Sequence, residues 1–165
     1  GLTLVPFPLA VSLAARLSPR LAGFAPALRI ASGTALMALG LLVLRSGILM
    51  LDPLPLALIA LPLFLSGFGT GIAVVALFPH TLSSVSASEA GAGSGAVQAF
   101  QQLGAVLGIA LIGQLFFATL GPMTLASPGD FTRAAAGALL YPISLFALMT
   151  LWIAGRHISQ RKAIA

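Results

Sequence analysis

Three side-chain amides are the most conspicuous polar groups in this chain: Gln98, Gln101 and Gln102 sit inside an otherwise apolar run that is rich in glycine and alanine. The run spans Ser86 to Phe117 and opens on a polar lead with one carboxylate, Glu89. At 100° per residue, Gly91, Gly95, Gln98 and Gln102 fall in a stripe about 60° wide, and Gln101, Gly104 and Gly108 form a neighbouring stripe of about the same width. Amides placed this way can hydrogen-bond a neighbouring helix or line a water-filled path and touch a solute. An unpartnered amide in hydrocarbon costs several kcal/mol, so either role puts this side of the helix inside a protein. Glu89 precedes the run, where a negative charge meets the positive end of the helix dipole; an anchoring role at the helix start accounts for it better than proton carriage.

The other reactive side chains form no enzymatic constellation. The carboxylates are Asp52, Glu89 and Asp130. All three fall in loops or at helix ends, with Glu89 on the opposite side from the other two, which argues against a paired acid and base. His80 and His157 have no partner at metal-ligand spacing, so a metal site is not expected. The serines lack His and Asp companions suited to nucleophilic work. The chain has no cysteine, which excludes disulfides and thiolate metal sites. Neither an enzyme nor a cofactor is expected.

The elements that position the glutamines follow from composition. Of 165 residues, 59% are hydrophobic and only 7% charged, and the mean hydropathy is +1.10. A soluble domain carries roughly 25% charged residues, so this chain reads as an integral membrane protein and its fold as an all-α, polytopic helix bundle. A span needs about 20 apolar residues. Five segments qualify, at about 2–17, 30–51, 56–78, 92–120 and 134–154, followed by a basic tail over 156–165. The first is short and carries Pro6 and Pro8; it reads as a helix whose beginning lies upstream, and the chain as a C-terminal piece of a longer protein. Within the third, the run Gly67 to Gly71 lacks the strand and soluble helix that a phosphate loop requires, so Gly67 and Gly71 are read as packing positions, like Gly33 and Gly40 in the second. Gly91, Gly95, Gly104 and Gly108 are read the same way in the fourth. Arg45, near the end of the second span, is expected to snorkel to the interface.

Orientation follows from the basic residues. The first and third connections and the tail share one side, which holds Arg16, Arg20, Arg29, Arg156, Arg161 and Lys162; the other side holds Arg45 and Arg133. This asymmetry puts the first loop and the C-terminus in the cytoplasm. The net charge of +5 is spread thinly beside apolar runs and is not a nucleic-acid signal. The arginines of the first loop serve either as topological anchors or in a conformational role.

Three segments resemble the C-terminal part of a major facilitator superfamily transporter, most closely the fourteen-helix drug:proton antiporter branch of the EmrB/QacA type. ARLSPRLA, from Ala15 to Ala22, resembles the second, weaker copy of the superfamily's cytoplasmic loop motif. SGFGTG, from Ser66 to Gly71, followed by Pro79, resembles the helix before the next cytoplasmic loop. GAGSG at Gly91–Gly95, continuing to QLGAVLGIA at Gln102–Ala110, resembles that branch's penultimate helix. The resemblance implies a multi-pass protein of the bacterial plasma membrane that exports small amphipathic compounds against protons by alternating access. Its partners would be the bilayer, the helices upstream of Gly1, the solute and protons. Two departures stand out: Pro19 occupies a position usually held by Asp in the loop motif, and Gln101 one often held by Arg. A facilitator of a specific metabolite and a non-transporting scaffold subunit remain alternatives.

Overall fold

A computed structural model describes residues 2–51, 55–83, 85–86, 88–122 and 127–164. The described residues are helical almost throughout and contain no strand. The helices are α1 (Pro6–Leu17), α2 (Pro26–Met50), α3 (Leu56–Leu82), α4 (Ala90–Leu120), α5 (Pro128–Ala138) and α6 (Leu140–Ile164), with short 3-10 turns at Leu2–Leu4 and Ser18–Leu21.

Proline and glycine set several of these boundaries. Pro6, Pro26 and Pro128 each stand at the start of a helix, where the missing N–H has no intrahelical partner to lose. At the far end of α4, Gly121 takes φ +70°, a conformation that favours glycine, and its N–H reaches Phe117 O at 3.1 Å. The helix start at α5 is closed by Asp130, whose carboxylate accepts from both the N–H (2.9 Å) and the hydroxyl (2.7 Å) of Ser127. Helices α5 and α6 are one rod interrupted at Leu139. Pro142 accounts for the interruption: it has no N–H for Ala138 O, and its ring crowds that carbonyl.

Four of the rods are long and apolar enough to cross a bilayer: α2, α3, α4 and the continuous α5–α6. The 12 residues of α1 make about 18 Å of helix, short of the ~30 Å hydrocarbon core. The fifth expected span, 134–154, is thus part of a longer broken rod, and helix continues through the basic tail to Ile164. Residues 52–54, between the second and third expected spans, lie outside the described residues.

Helix α2 lies at the centre of the bundle, packed against α3 on one side and α6 on the other, while α1 covers the outer side of α3. Glycine makes these approaches possible. A Cβ at Gly33 would stand 2.6 Å from Gly69 O, and one at Gly69 would collide with Gly33 O, so α2 and α3 touch backbone to backbone. Two residues either side of Gly69 is about 200° round the helix, so Gly67 and Gly71 serve the other contact. A Cβ at Gly67 would strike Phe7 O, and one at Gly71 would lie 2.6 Å from the Ala14 Cβ and 2.8 Å from Val11 O, both on α1. Without a driving force between apolar side chains and apolar lipid, such close van der Waals contact is what holds membrane helices together. Between α2 and α6, the hydroxyls of Thr34 and Thr150 meet at 2.7 Å, with Thr34 buried.

The Nε of Arg45 donates to Ala136 O at 3.1 Å, beside the α5–α6 break, and ties α2 to α5.

Candidate functional site

Helix α4 is placed differently from the others. It packs on α5 near its C-terminal end, touches α3 only lightly at its start, and leaves most of its surface uncovered. Gln98, Gln101 and Gln102 are all exposed, and no hydrogen bond from their side chains is present. A Cβ added at Gly91, Gly95, Gly104 or Gly108 would meet nothing within 4 Å, in contrast to Gly33, Gly67, Gly69 and Gly71. These four glycines therefore make no close helix contact among the described residues, whereas a Cβ at Gly93 would lie 3.3 Å from the Leu82 side chain at the end of α3. The Glu89 carboxylate accepts from the Ser86 hydroxyl at 2.8 Å, just ahead of the first turn.

The face that carries the glutamines changes character along the helix. Gln98 and Gln102 share a stripe with Ile109, Ile112, Gly113 and Phe116, all within about 60° of Gln98 at 100° per residue. The second-half members of that stripe line an apolar recess of about 520 Å³ completed by Leu44 and Ile48 of α2 and by Ala135, Ala138 and Leu139 of α5–α6. The same stripe thus faces the bundle where α4 is packed, and bears amides where α4 is bare. Measured along the helix, the glutamines lie about 12–18 Å from its first residue, at membrane depth. An apolar recess continuing into a line of amides is a surface that suits an amphipathic small molecule.

At the opposite ends of these helices, the first loop is folded tightly. Arg29, at the start of α2, donates to the hydroxyl of buried Ser18. Arg16 and Arg20 are exposed. The first-loop arginines therefore divide: Arg29 clasps the loop, and the other two face out.

His80 and His157, distant in sequence, line one recess between α2, α3 and α6. Spacing along the chain gave no hint of this, because only the antiparallel return of α3 and of α6 against α2 brings their C-terminal ends together. No group of three metal-binding side chains exists among the described residues.

The fold is that of a multi-pass membrane helix bundle. Comparison with known proteins finds 43% identity over 79 residues to a "Probable actinorhodin transporter" of Streptomyces coelicolor. The match covers 44% of this chain and 14% of that protein, so the chain corresponds to a small part of its relative's length. No family model matches the chain, and no solved structure matches it.

Proposed function

We propose that this chain forms part of the C-terminal bundle of a major facilitator transporter of the drug:proton antiporter branch, exporting small amphipathic compounds by alternating access. The observation that carries the proposal is the exposed row of Gln98, Gln101 and Gln102 at membrane depth. Left in lipid, each unpaired amide would cost on the order of 2–7 kcal/mol. The rest of the transporter, or water with solute in it, covers them. The bare glycines Gly91, Gly95, Gly104 and Gly108 belong to the same surface, where the N-terminal helices approach closely and part again as the two halves rock. The partners are those helices, the bilayer, the solute and protons. The protein resides in the bacterial plasma membrane, with Arg16, Arg20, Arg29 and the C-terminus on the cytoplasmic side.

The test uses the intact protein in an efflux-deficient host. Dye accumulation should fall, and an uncoupler should restore it. Replacing Gln98 and Gln102 together by Leu should raise accumulation towards that of cells without the transporter, at unchanged membrane abundance. An absence of any uncoupler-sensitive change in dye would refute proton-driven efflux. Loss of efflux only through loss of protein would remove the glutamines from the solute path.

A further inference from the structure

The basic ends of α2, α3 and α6 enclose a recess that the proposed function leaves unused. It holds about 330 Å³ and is walled by Ala27, Ile30, Leu77, Met149 and Ile153, with Trp152, His80, Arg156 and His157 around it. Its wall is apolar and its polar groups are all nitrogen bases or cations. The Arg156 guanidinium stands 5.4 Å from the centre of the Trp152 ring, and both residues are exposed. His157 is only partly exposed, and its Nε2 is buried without a hydrogen-bond partner. Among the described residues this happens to only one other side-chain nitrogen, Nε of Arg29, on the neighbouring side of the same α2 end. The carboxylate described on this face, Glu89, is engaged by Ser86, and the described ion pair of the chain, Arg133 with Asp130, lies at the opposite ends of the helices. The recess therefore combines a hydrocarbon wall, a tryptophan and a guanidinium with no carboxylate partner among the described residues.

We infer that this recess holds the headgroup phosphate of an anionic phospholipid against Arg156, with the acyl chain laid along Ile30, Leu77 and Met149. Charge complementarity selects the occupant. A neutral apolar ligand would leave the guanidinium without a counter-charge, and a soluble anion would leave the apolar wall wet. Arginine suits the role because its planar donors pair with phosphate oxygens two at a time. Basic recesses between spans, at headgroup level, are where specific anionic lipids lodge. The inference rests on the helix bundle and its place in a membrane, and holds whatever solute the protein moves.

Native mass spectrometry of the intact protein, released from detergent supplied with equal phosphatidylglycerol and phosphatidylcholine of the same chains, reads the site directly. Phosphatidylglycerol adducts should exceed phosphatidylcholine adducts about fivefold or more, the order of effect of one cation near an anionic headgroup. Arg156→Gln should remove most of that preference, and Arg156→Lys should keep part of it. Arg20→Gln, which alters an exposed cation of the same face away from the recess, should leave it unchanged. Equal retention of the two lipids would overturn the inference. So would an Arg20→Gln effect as large as that of Arg156→Gln, which would mean diffuse surface charge in place of a site. Addition of millimolar glycerol phosphate that releases the lipid preference would overturn it too, because a soluble anion would then be the preferred occupant. Dye efflux is scored separately, so failure here leaves the transport proposal standing, and the reverse holds.

Discussion

Two glycine-to-alanine changes, one in α2 and one in α4, separate glycines that are packed from those that are bare. At Gly33 the new Cβ would lie 2.6 Å from Gly69 O and 2.8 Å from both the Ala73 N and Cβ. Ordinary contact begins near 3.4 Å, so α2 and α3 would have to part by about 0.6–0.8 Å along their closest approach. Neighbours cannot absorb that by turning, since the obstructing atoms include backbone on the facing helix. Overpacking of this kind costs about 1–3 kcal/mol, and parting the helices also loosens the second glycine contact, at Gly69. At Gly104 the same change meets nothing within 4 Å. Alanine is the better helix former by about 0.8–1.0 kcal/mol, so the α4 variant should be neutral or slightly more stable within this bundle. The readout is the thermal midpoint of the intact protein in detergent, followed by the loss of monodisperse material on heating. Gly33→Ala should lower it by several degrees and by more than Gly104→Ala, whose added methyl meets nothing within this bundle. Equal midpoints for the two variants would refute the claim that α2 and α3 meet backbone to backbone.

Two further outcomes follow from single contacts. Thr34→Val and Thr150→Val each keep the shape and remove one partner of the 2.7 Å hydroxyl pair; a double-mutant cycle on detergent unfolding should give a coupling of about 0.6 kcal/mol and no more than ~2, and zero coupling would dismiss the pair as incidental. Arg45→Leu removes the donor to Ala136 O; deuterium exchange should then rise around residues 136–142 without a matching rise in α3, and unchanged exchange there would show that the arginine does not brace the break.

The sequence was legible wherever a local rule decides the outcome. Apolar runs of span length, with few charges, marked the four long rods, while α2 and α5 begin at Pro26 and Pro128, a few residues ahead of the spans expected from 30 and from 134. Gly67 and Gly71 were readable as packing residues because the run lacks the context of a phosphate loop, though only the fold shows that these two stand against α1 while Gly69 stands against α2. What was not legible depended on partners remote in the chain. Arg45 looked free to reach water because nothing local tells that Ala136 O, 91 positions on, stands within reach. The break at Leu139 came from Pro142 inside an apolar run, where hydropathy alone reads straight through. The recess with His80 and His157 exists only once α3 has turned back beside α6. The glutamines were picked out as the polar exception in an apolar run, but whether they would be packed or open depended on where α4 sits.

That placement decides how α4 can work. A helix held at one end and bare at the other has its amides where movement of a partner is felt most. Its anchored end is apolar, with Ile112 and Phe116 lining the recess beside α2 and α5; its bare end offers Gln98 and Gln102 on the same stripe. Under the transport proposal, a solute with an apolar body and a polar end would meet matching surface along one line, with no charged side chain among the described residues that line it. Arg45 is tied to a backbone carbonyl by its Nε. Charge selection and proton coupling would then fall to residues on the facing helices, while this chain supplies an uncharged wall. A Gln102→Glu variant tests that division. If the wall is neutral by design, uptake assays with cationic and uncharged dyes of similar size should show a gain confined to the cationic ones; an equal change for both would mean that Gln102 acts through packing and not through its charge.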